Sequence, residues 1–406
     1  MLRCGLLGEK LGHSFSPQIH KALADYEYGL YEVEPDKLDL FLQITKLDGM
    51  NVTIPYKKDV IRSCASLSPA ADAIGSVNTL VRMPYGWHGD NTDYDGFGWM
   101  CDSIGAEIGG KKCLVFGSGG ASLTVRKLLA DRGAREVVVI SRSGENNYGN
   151  LHLHADAEII VNTTPLGMYP HTGKAAASLE GFPKCEAVLD IVYNPARTAL
   201  LLDAEARGIK HANGLGMLVA QAHRAAEIFL NKRLDPAVIE RIRDSIARET
   251  ENIVLVGMPG SGKTKKGRLL AEKLGKRFVD ADEAFTEKFG LSPAAVITAQ
   301  GEETMRKMET EILSELGRQS GLVIATGGGC VTRAENYPLL RQNGRIVWVK
   351  RPLAELPTGG RPLSQSCGVQ ELYARRAALY ERFSDVSVDV CDTVEHAVDE
   401  IIEVLK

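Results

Sequence analysis

Residues 251–267 read ENIVLVGMPGSGKTKKG. A β-branched run, NIVLV, leads into Gly257-x-x-x-x-Gly262-Lys263-Thr264, and a helix-compatible run, KTKKGRLLAEKL, follows. The complete G-x-x-x-x-G-K-[ST] spacing between a strand and a helix is that of a phosphate-binding loop. Its backbone, through Gly257, Gly260, Ser261 and Gly262, is expected to turn N–H groups toward phosphate oxygens. Lys263 is then placed to bridge the β- and γ-phosphates, and Thr264 to offer a hydroxyl to Mg²⁺. ATP and Mg²⁺ are therefore the expected ligands of this half, on a parallel α/β sheet. The loop alone does not say what receives the phosphate.

A second glycine-rich turn lies upstream, CLVFGSGGAS at residues 113–122. A strand precedes it, a helical stretch follows, and a second strand, EVVVIS, begins at Glu136. This is the pattern of a βαβ dinucleotide module, with Gly117, Ser118, Gly119, Gly120 and Ala121 at the pyrophosphate. Taken alone, a turn that packs without binding anything stays open. The second strand ends in Ser141, Arg142 and Ser143. An acidic residue there would hold a ribose 2′-hydroxyl, whereas a cation between two hydroxyls suits a 2′-phosphate and favours NADP.

The whole chain sets the limits. At 406 residues it exceeds one ordinary core. Strand-like and helical runs alternate in two series that divide near residue 250. DPAVIERIRDSIARETEN, with Val238, Ile239, Ile242 and Ile246 on one face, is expected as the helix that closes the first series. With 44% hydrophobic and 25% charged residues and no apolar run long enough to span a bilayer, the expectation is a cytoplasmic protein with no membrane partner. A net charge of −4 argues against a nucleic-acid surface. The eight cysteines are scattered without metal-ligand spacing and are expected as reduced thiols. His152 and His154 alternate as on one strand face and are expected as a surface pair rather than a metal site.

The rest of the C-terminal half narrows the phosphate acceptor. Asp280 and Asp282 in FVDADEAF follow an apolar pair at an expected strand end, where alternation directs both carboxylates one way. A helix amino-cap pair is the alternative. GEETMRKMETEI carries Arg306, VIATGGGCV ends a strand in three glycines, TGGRPLS carries Arg361, and YARRAALYERF carries Arg376. Together these segments closely resemble the shikimate kinase family over residues 251–406. The resemblance implies that Asp282, Arg306, Gly328, Gly329 and Arg376 hold shikimate, the arginines at its carboxylate. It implies that Asp282 orients or deprotonates the attacking hydroxyl, that Asp280 reaches Mg²⁺, directly or through water, and that Arg361 closes over the nucleotide as part of a lid. Ala281, Met305 and Ala378 depart from the family's usual residues.

In the first half, four polar stretches stand out: GHSFSPQIH, NVTIPYKKD, GSVNTLV and GDNTDYDGFG. Each has an ordinary reading, Ser14 and Ser16 as a helix cap before Pro17, and Asn78 and Asp93 as turn residues. With NTTPLGM, DIVYNP and GLGMLVAQA they are similar to shikimate dehydrogenase over residues 1 to about 248. The resemblance implies Lys57 and Asp93 as the catalytic pair. It places Ser14, Ser16, Thr53, Asn78, Tyr193 and Gln221 on the substrate and Met217 against the nicotinamide.

The expected fold is thus α/β. An N-terminal α/β substrate domain (1–100, with return helices near 215–248) and a Rossmann NADP-binding domain (101–214) precede a short linker (248–252). A P-loop kinase domain with parallel sheet and lid (253–406) follows. The expected function is NADPH-dependent reduction of 3-dehydroshikimate to shikimate, then ATP/Mg²⁺-dependent phosphorylation to shikimate 3-phosphate. The alternatives are that one half is a nucleotide- or shikimate-binding regulatory module, or that the first half is a quinate/shikimate dehydrogenase preferring NAD. Oligomerisation is left open.

Overall fold

In the computed structural model, the described residues are 1–12, 14–357, 368–389 and 393–406. The lid stretch with Arg361 lies outside them. The chain forms two compact units. One comprises Met1–Met168, Lys174–Tyr193 and Leu200–Ile246, and the other Tyr169–Gly173, Asn194–Ala199 and Ala247–Lys406.

The first unit opens with β1 (Arg3–Gly8), α1 (Ser16–Leu23), β2 (Glu27–Glu32), α2 (Leu38–Ile44), β3 (Gly49–Val52), β4 (Cys64–Leu67), α3 (Pro69–Ile74), β5 (Thr79–Met83), β6 (Gly86–Asp90) and α4 (Asp93–Ser103). Its sheet has the order β2-β1-β3-β5-β6-β4, with β5 antiparallel to both β3 and β6. β3 is buried along its whole length, as a central strand covered on both faces must be. The expected boundary at residue 100 falls inside α4, which packs against α7 (Gly214–Leu230). Both α-helices therefore tie the two lobes of this unit together.

The second lobe runs β7 (Lys112–Phe116), α5 (Gly120–Asp131), β8 (Glu136–Ile140), β9 (Ile159–Asn162), β10 (Ala187–Asp190), α6 (Ala199–Ala206) and β11 (Lys210–Asn213). All strands are parallel, in the order β11-β10-β9-β7-β8. Strand order reverses at β7, so the crevice between β7 and β9 is the switch point at which such sheets bind ligands. No α-helix links β8 to β9. The chain instead turns back through Asn147 and Asn150, with Ser141 N donating to Asn146 O at 3.2 Å and Asn147 N to Asn150 Oδ1 at 2.8 Å, leaving β8 as the sheet edge. The histidine expectation is corrected here. Leu151–His154 is a 3₁₀ turn rather than a strand, and His154 is buried with its Nε2 at 3.0 Å from Asn146 Oδ1.

α8 (Ala237–Thr250) buries Ile239, Ile242 and Ile246, each such side chain contributing about 1.5–3 kcal/mol. The five-residue linker is also corrected: α8 reaches Thr250 and β12 begins at Asn252, leaving Glu251 between elements.

The second unit continues β12 (Asn252–Val256), α9 (Lys263–Leu274), β13 (Arg277–Asp280), α10 (Ala281–Phe289), α11 (Pro293–Gln300), α12 (Glu302–Gly317), β14 (Leu322–Ala325), α13 (Asn336–Arg341), β15 (Gly344–Lys350), α14 (Val369–Phe383), β16 (Val386–Asp389) and α15 (Val394–Val404). The strands form a fully parallel sheet, β13-β14-β12-β15-β16. β12 is buried at all five positions, which sets the glycine loop after it on the central strand's C-terminal end. Ala281 and Met305, two of the departures from the family pattern, are buried in this unit's core. Among the described residues, no helix is long and apolar enough to cross a membrane, and Cys4, Cys64, Cys101, Cys113, Cys185 and Cys330 are free thiols.

Candidate active sites

In the first unit a cavity of about 420 Å³ is lined by Ser14, Ser16, Thr53, Lys57, Asn78, Asp93, Tyr193, Met217 and Gln221, with Ala121 from the glycine turn. Residues from far-separated stretches meet because the ends of β1 and β3 lie beside the start of antiparallel β5, against which α7 packs. Lys57 Nζ donates to Asp93 Oδ2 at 2.6 Å. Asp93 is the first residue of α4, where the helix dipole favours its charge. Asn78 is buried and committed, its Oδ1 accepting from Thr92 N at 2.7 Å, and its Nδ2 reaches Gln221 Oε1 at 3.5 Å. Ser14 Oγ accepts from Ser16 N, the first helical N–H of α1, at 3.2 Å, while the cap position itself, Phe15, makes no side-chain cap bond. Asn51 and Lys10, which were not singled out from sequence, line the same cavity. Asn51 opens the quoted NVTIP run, and strand alternation places it with Thr53.

The dinucleotide turn lies at the end of β7. A Cβ on Gly117 would meet Thr163 Oγ1 at 2.7 Å, so that glycine answers to packing, whereas Gly119 and Gly120 face open space at the start of α5. The α5 N-terminus thus offers uncapped N–H groups to an anion, which fits a pyrophosphate. Ser141, Arg142 and Ser143 follow β8, next in the sheet, and Arg142 is exposed. Tyr148 stacks on Phe116, ring centroids 6.0 Å apart; burial raises its pKa and the Arg142 charge opposes that rise. Gly117, Ser118, Gly119, Gly120 and these three residues do not line the substrate cavity.

In the second unit a cleft of about 550 Å³ is lined by Gly260, Gly262, Lys263, Thr264, Asp280, Asp282, Arg306, Gly328, Gly329 and Arg376, with Glu309 and Arg351. Gly257 and Ser261 do not line it; Ser261 is fully buried. Lys263 Nζ donates to the Gly257 and Met258 carbonyls at 2.9 and 3.0 Å. Thr264 Oγ1 donates to Asp280 Oδ2 at 2.7 Å. A hydroxyl and a carboxylate side by side are hard oxygen donors of the kind Mg²⁺ takes, so the donor chemistry fits that metal.

The expected strand alternation of the two aspartates is corrected. β13 ends at Asp280, whose Oδ1 caps α10 by accepting from Asp282 N at 2.9 Å, and Asp282 already lies in the helix. The cap alternative is the one observed for Asp280, with one oxygen on the cap and the other on Thr264. Asp282 opens into the cleft, yet crowding by the cleft walls, with the Asp280 and Glu309 carboxylates, pushes its pKa up to about 6 against Lys263 and Arg306. Among the described residues its carboxylate accepts no hydrogen bond, so both oxygens are available to a ligand.

Arg306 and Arg376 are buried, at 6% and 5% exposure. Arg306 Nη1 donates to Glu309 Oε2 at 2.7 Å and Nη2 to Glu302 Oε1 at 3.0 Å; Arg376 Nη1 donates to Gly328 O at 3.2 Å. A Cβ on Gly329 would lie 2.0 Å from Arg306 Nη2, so only glycine lets that guanidinium pass. Tyr380 Oη also donates to Gly328 O. That carbonyl is held away from the Gly329 N–H, which a trans peptide directs the opposite way. Glu309 was missed by sequence reading, although it stands three residues after Arg306 on one helix face.

A dinucleotide turn beside a lysine–carboxylate pair is the equipment of an oxidoreductase, and a phosphate loop facing an arginine-lined cleft that of a phosphotransferase. The comparisons carry this further. Residues 6–80 match the family model for the shikimate dehydrogenase substrate binding domain and residues 259–406 that for shikimate kinase. The chain is 38% identical to the shikimate dehydrogenase (NADP(+)) of Clostridium perfringens over 263 residues, 60% of this chain and 97% of the relative. Among solved structures it is similar to a chorismate mutase/shikimate 5-dehydrogenase fusion protein from Clostridium acetobutylicum, at 37% identity and a TM-score of 0.58 over 60% of this chain and 97% of the other. It is also similar to the shikimate 5-dehydrogenase of Thermus thermophilus in complex with NADP(H) and shikimate, at 28% identity and 0.55, over 60% and 99%. The chain belongs to the shikimate dehydrogenase family and carries a shikimate kinase domain on its C-terminal side. It is a bifunctional enzyme of the shikimate pathway.

Proposed function

We propose that the first unit reduces 3-dehydroshikimate to shikimate with NADPH and that the second phosphorylates shikimate with Mg-ATP. The observation that carries the reading is the presence, in one chain, of the Lys57–Asp93 contact at 2.6 Å and of Lys263, Asp282, Arg306 and Arg376 around one cleft.

In the first unit NADPH, on the α5 N-terminus, supplies the hydride. Lys57 donates a proton to the oxygen of the carbonyl being reduced, and Asp93 aims the ammonium. Ser14, Ser16, Thr53, Asn78, Tyr193 and Gln221 hold the carboxylate and hydroxyls of the substrate, and Met217 packs on the nicotinamide side. Arg142, with Ser141 and Ser143, binds the 2′-phosphate. Replacing Arg142 with Ala is expected to raise KM for NADPH by about tenfold, the scale of a lost charge-assisted hydrogen bond, and to leave KM for NADH unmoved. Equal losses with both cofactors in steady-state assays would remove that role. A NAD-preferring enzyme would show the same comparison reversed in the wild type.

In the second unit Arg306 and Arg376 grip the shikimate carboxylate, with Gly328 and Gly329 lining its seat. Lys263, now on two loop carbonyls, would bind phosphate oxygens, and Thr264 and Asp280 would hold Mg²⁺, which would neutralise phosphate charge. Asp282 accepts the proton of the attacking hydroxyl, and Arg361 is assigned to closure over the nucleotide. Asp282 must be ionised to accept that proton. Because its pKa stands at about 6, the carboxylate form prevails above that value and is lost below it. Kinase kcat/KM for shikimate is therefore expected to fall about tenfold per pH unit below 6, measured at saturating Mg-ATP. A profile flat down to pH 5 would contradict the assignment.

The two half-reactions are tested separately on the intact chain, with NADPH and 3-dehydroshikimate alone and with Mg-ATP and shikimate alone. Each pair is expected to turn over. ATP hydrolysis that ignores shikimate, or a half that binds its ligands without turnover, would replace catalysis by a regulatory role for that half.

A further inference from the structure

α9 begins Lys263-Thr264-Lys265-Lys266, with no acidic residue in its first turn. The helix dipole opposes cations at that end. Lys265 is exposed and lines the cleft, but Lys266 is 3% exposed. Its Nζ donates to Ser261 O at 2.8 Å. An ammonium carries three donors, so one carbonyl leaves it under-satisfied. A Cβ on Gly262 would lie 2.6 Å from that Nζ, which sets the charge directly against the loop backbone at Gly262.

Among the described residues no carboxylate balances it. The charged group whose field reaches Lys266 is another cation, Arg351 after β15, and Arg351 is itself paired with Glu355 at 3.2 Å. The acids on neighbouring elements are engaged elsewhere: Asp280 of β13 by Thr264, Glu283 of α10 by Arg268, and Asp399 of α15 by Lys273. A buried cation with no counter-charge is costly unless a ligand brings one. The anion that fits this loop is a polyphosphate.

We propose that Lys266 is a second cation of the phosphate loop, a positioning residue behind Gly262 that holds the Ser261 carbonyl and whose charge is balanced by the nucleotide's terminal phosphates. The proposal rests on reading this loop as the ATP site.

The test uses the full chain with NADP⁺ saturating the other nucleotide site. Dissociation constants for ADP and ATP are measured in wild type, Lys266→Met and Lys266→Arg, together with kcat and both kinase KM values. Lys266→Met is expected to weaken ADP about tenfold and ATP more, one decade being one increment of binding free energy. KM for shikimate should stay put, and Lys266→Arg should restore nucleotide binding. An ADP constant within twofold of wild type in Lys266→Met overturns the proposal. So does equal weakness in the Arg variant, or loss of the kinase unit's unfolding transition in both Lys266→Met and Lys266→Gln, since each assigns the residue to structure alone. A wild-type chain that binds neither nucleotide would instead overturn the ATP-site reading beneath it.

Discussion

Replacing Lys57 with Met is expected to lower kcat for 3-dehydroshikimate reduction by about 10²–10⁴, the range for a lost general acid, while phosphorylation of added shikimate continues at the wild-type rate. Hydride addition to a carbonyl leaves an alkoxide, and the proton must come from a group that is charged and close. Lys57 lines the cavity and is held in place by Asp93 at 2.6 Å. Lys10 is the competing ammonium, since it also lines the cavity. It is exposed, however, and among the described residues it has no carboxylate to aim it. A Lys57→Met enzyme that keeps more than about a tenth of wild-type kcat, a loss below the general-acid range, would transfer the role to Lys10. The matching Lys10→Met measurement would decide it.

Replacing Asp282 with Asn is expected to reduce kinase kcat by a comparable factor of about 10²–10⁴ and to leave the reductase untouched. Three carboxylates line the kinase cleft, and their partners decide between them. Asp280 has one oxygen on the α10 cap and the other on Thr264, and Glu309 is paired with the buried Arg306. Asp282 alone of the three has both oxygens uncommitted among the described residues. Asn keeps its shape and removes its basicity, so binding of shikimate should survive. If kcat in Asp282→Asn stays within a few-fold of wild type, the proton goes elsewhere and the carboxylate serves orientation only.

What was legible in the sequence was what spacing along the backbone encodes. Gly257 to Thr264 defined the loop because a strand leads directly into it and a helix directly out of it. Segments with little meaning alone, such as those carrying Arg306 or Asp93, gained it from their order in a known constellation. Side-chain direction away from regular elements was not legible. Asp280 and Asp282 were expected to alternate on a strand, but the strand ends at Asp280, which caps the helix that already holds Asp282. Lys266 was not singled out in the sequence, and its burial depends on how the loop folds over it. The missing α-helix after β8 left a trace in the shortness of the 141–158 segment, yet nothing in its composition foretold that β8 would become the edge. Glu309 was within reach of the i,i+3 rule and was passed over among several acids of one helix.

The most direct test of two successive reactions on one chain is a coupled assay with purified protein, 3-dehydroshikimate, NADPH and Mg-ATP, following NADPH absorbance and ADP release together. ADP is expected to appear only when 3-dehydroshikimate and NADPH are both present, after a lag in which shikimate accumulates, and to appear without lag when shikimate is added directly. NADPH consumed without ADP, even with shikimate added, would contradict the account for the second unit. ADP formed from added shikimate with no NADPH consumed would contradict it for the first.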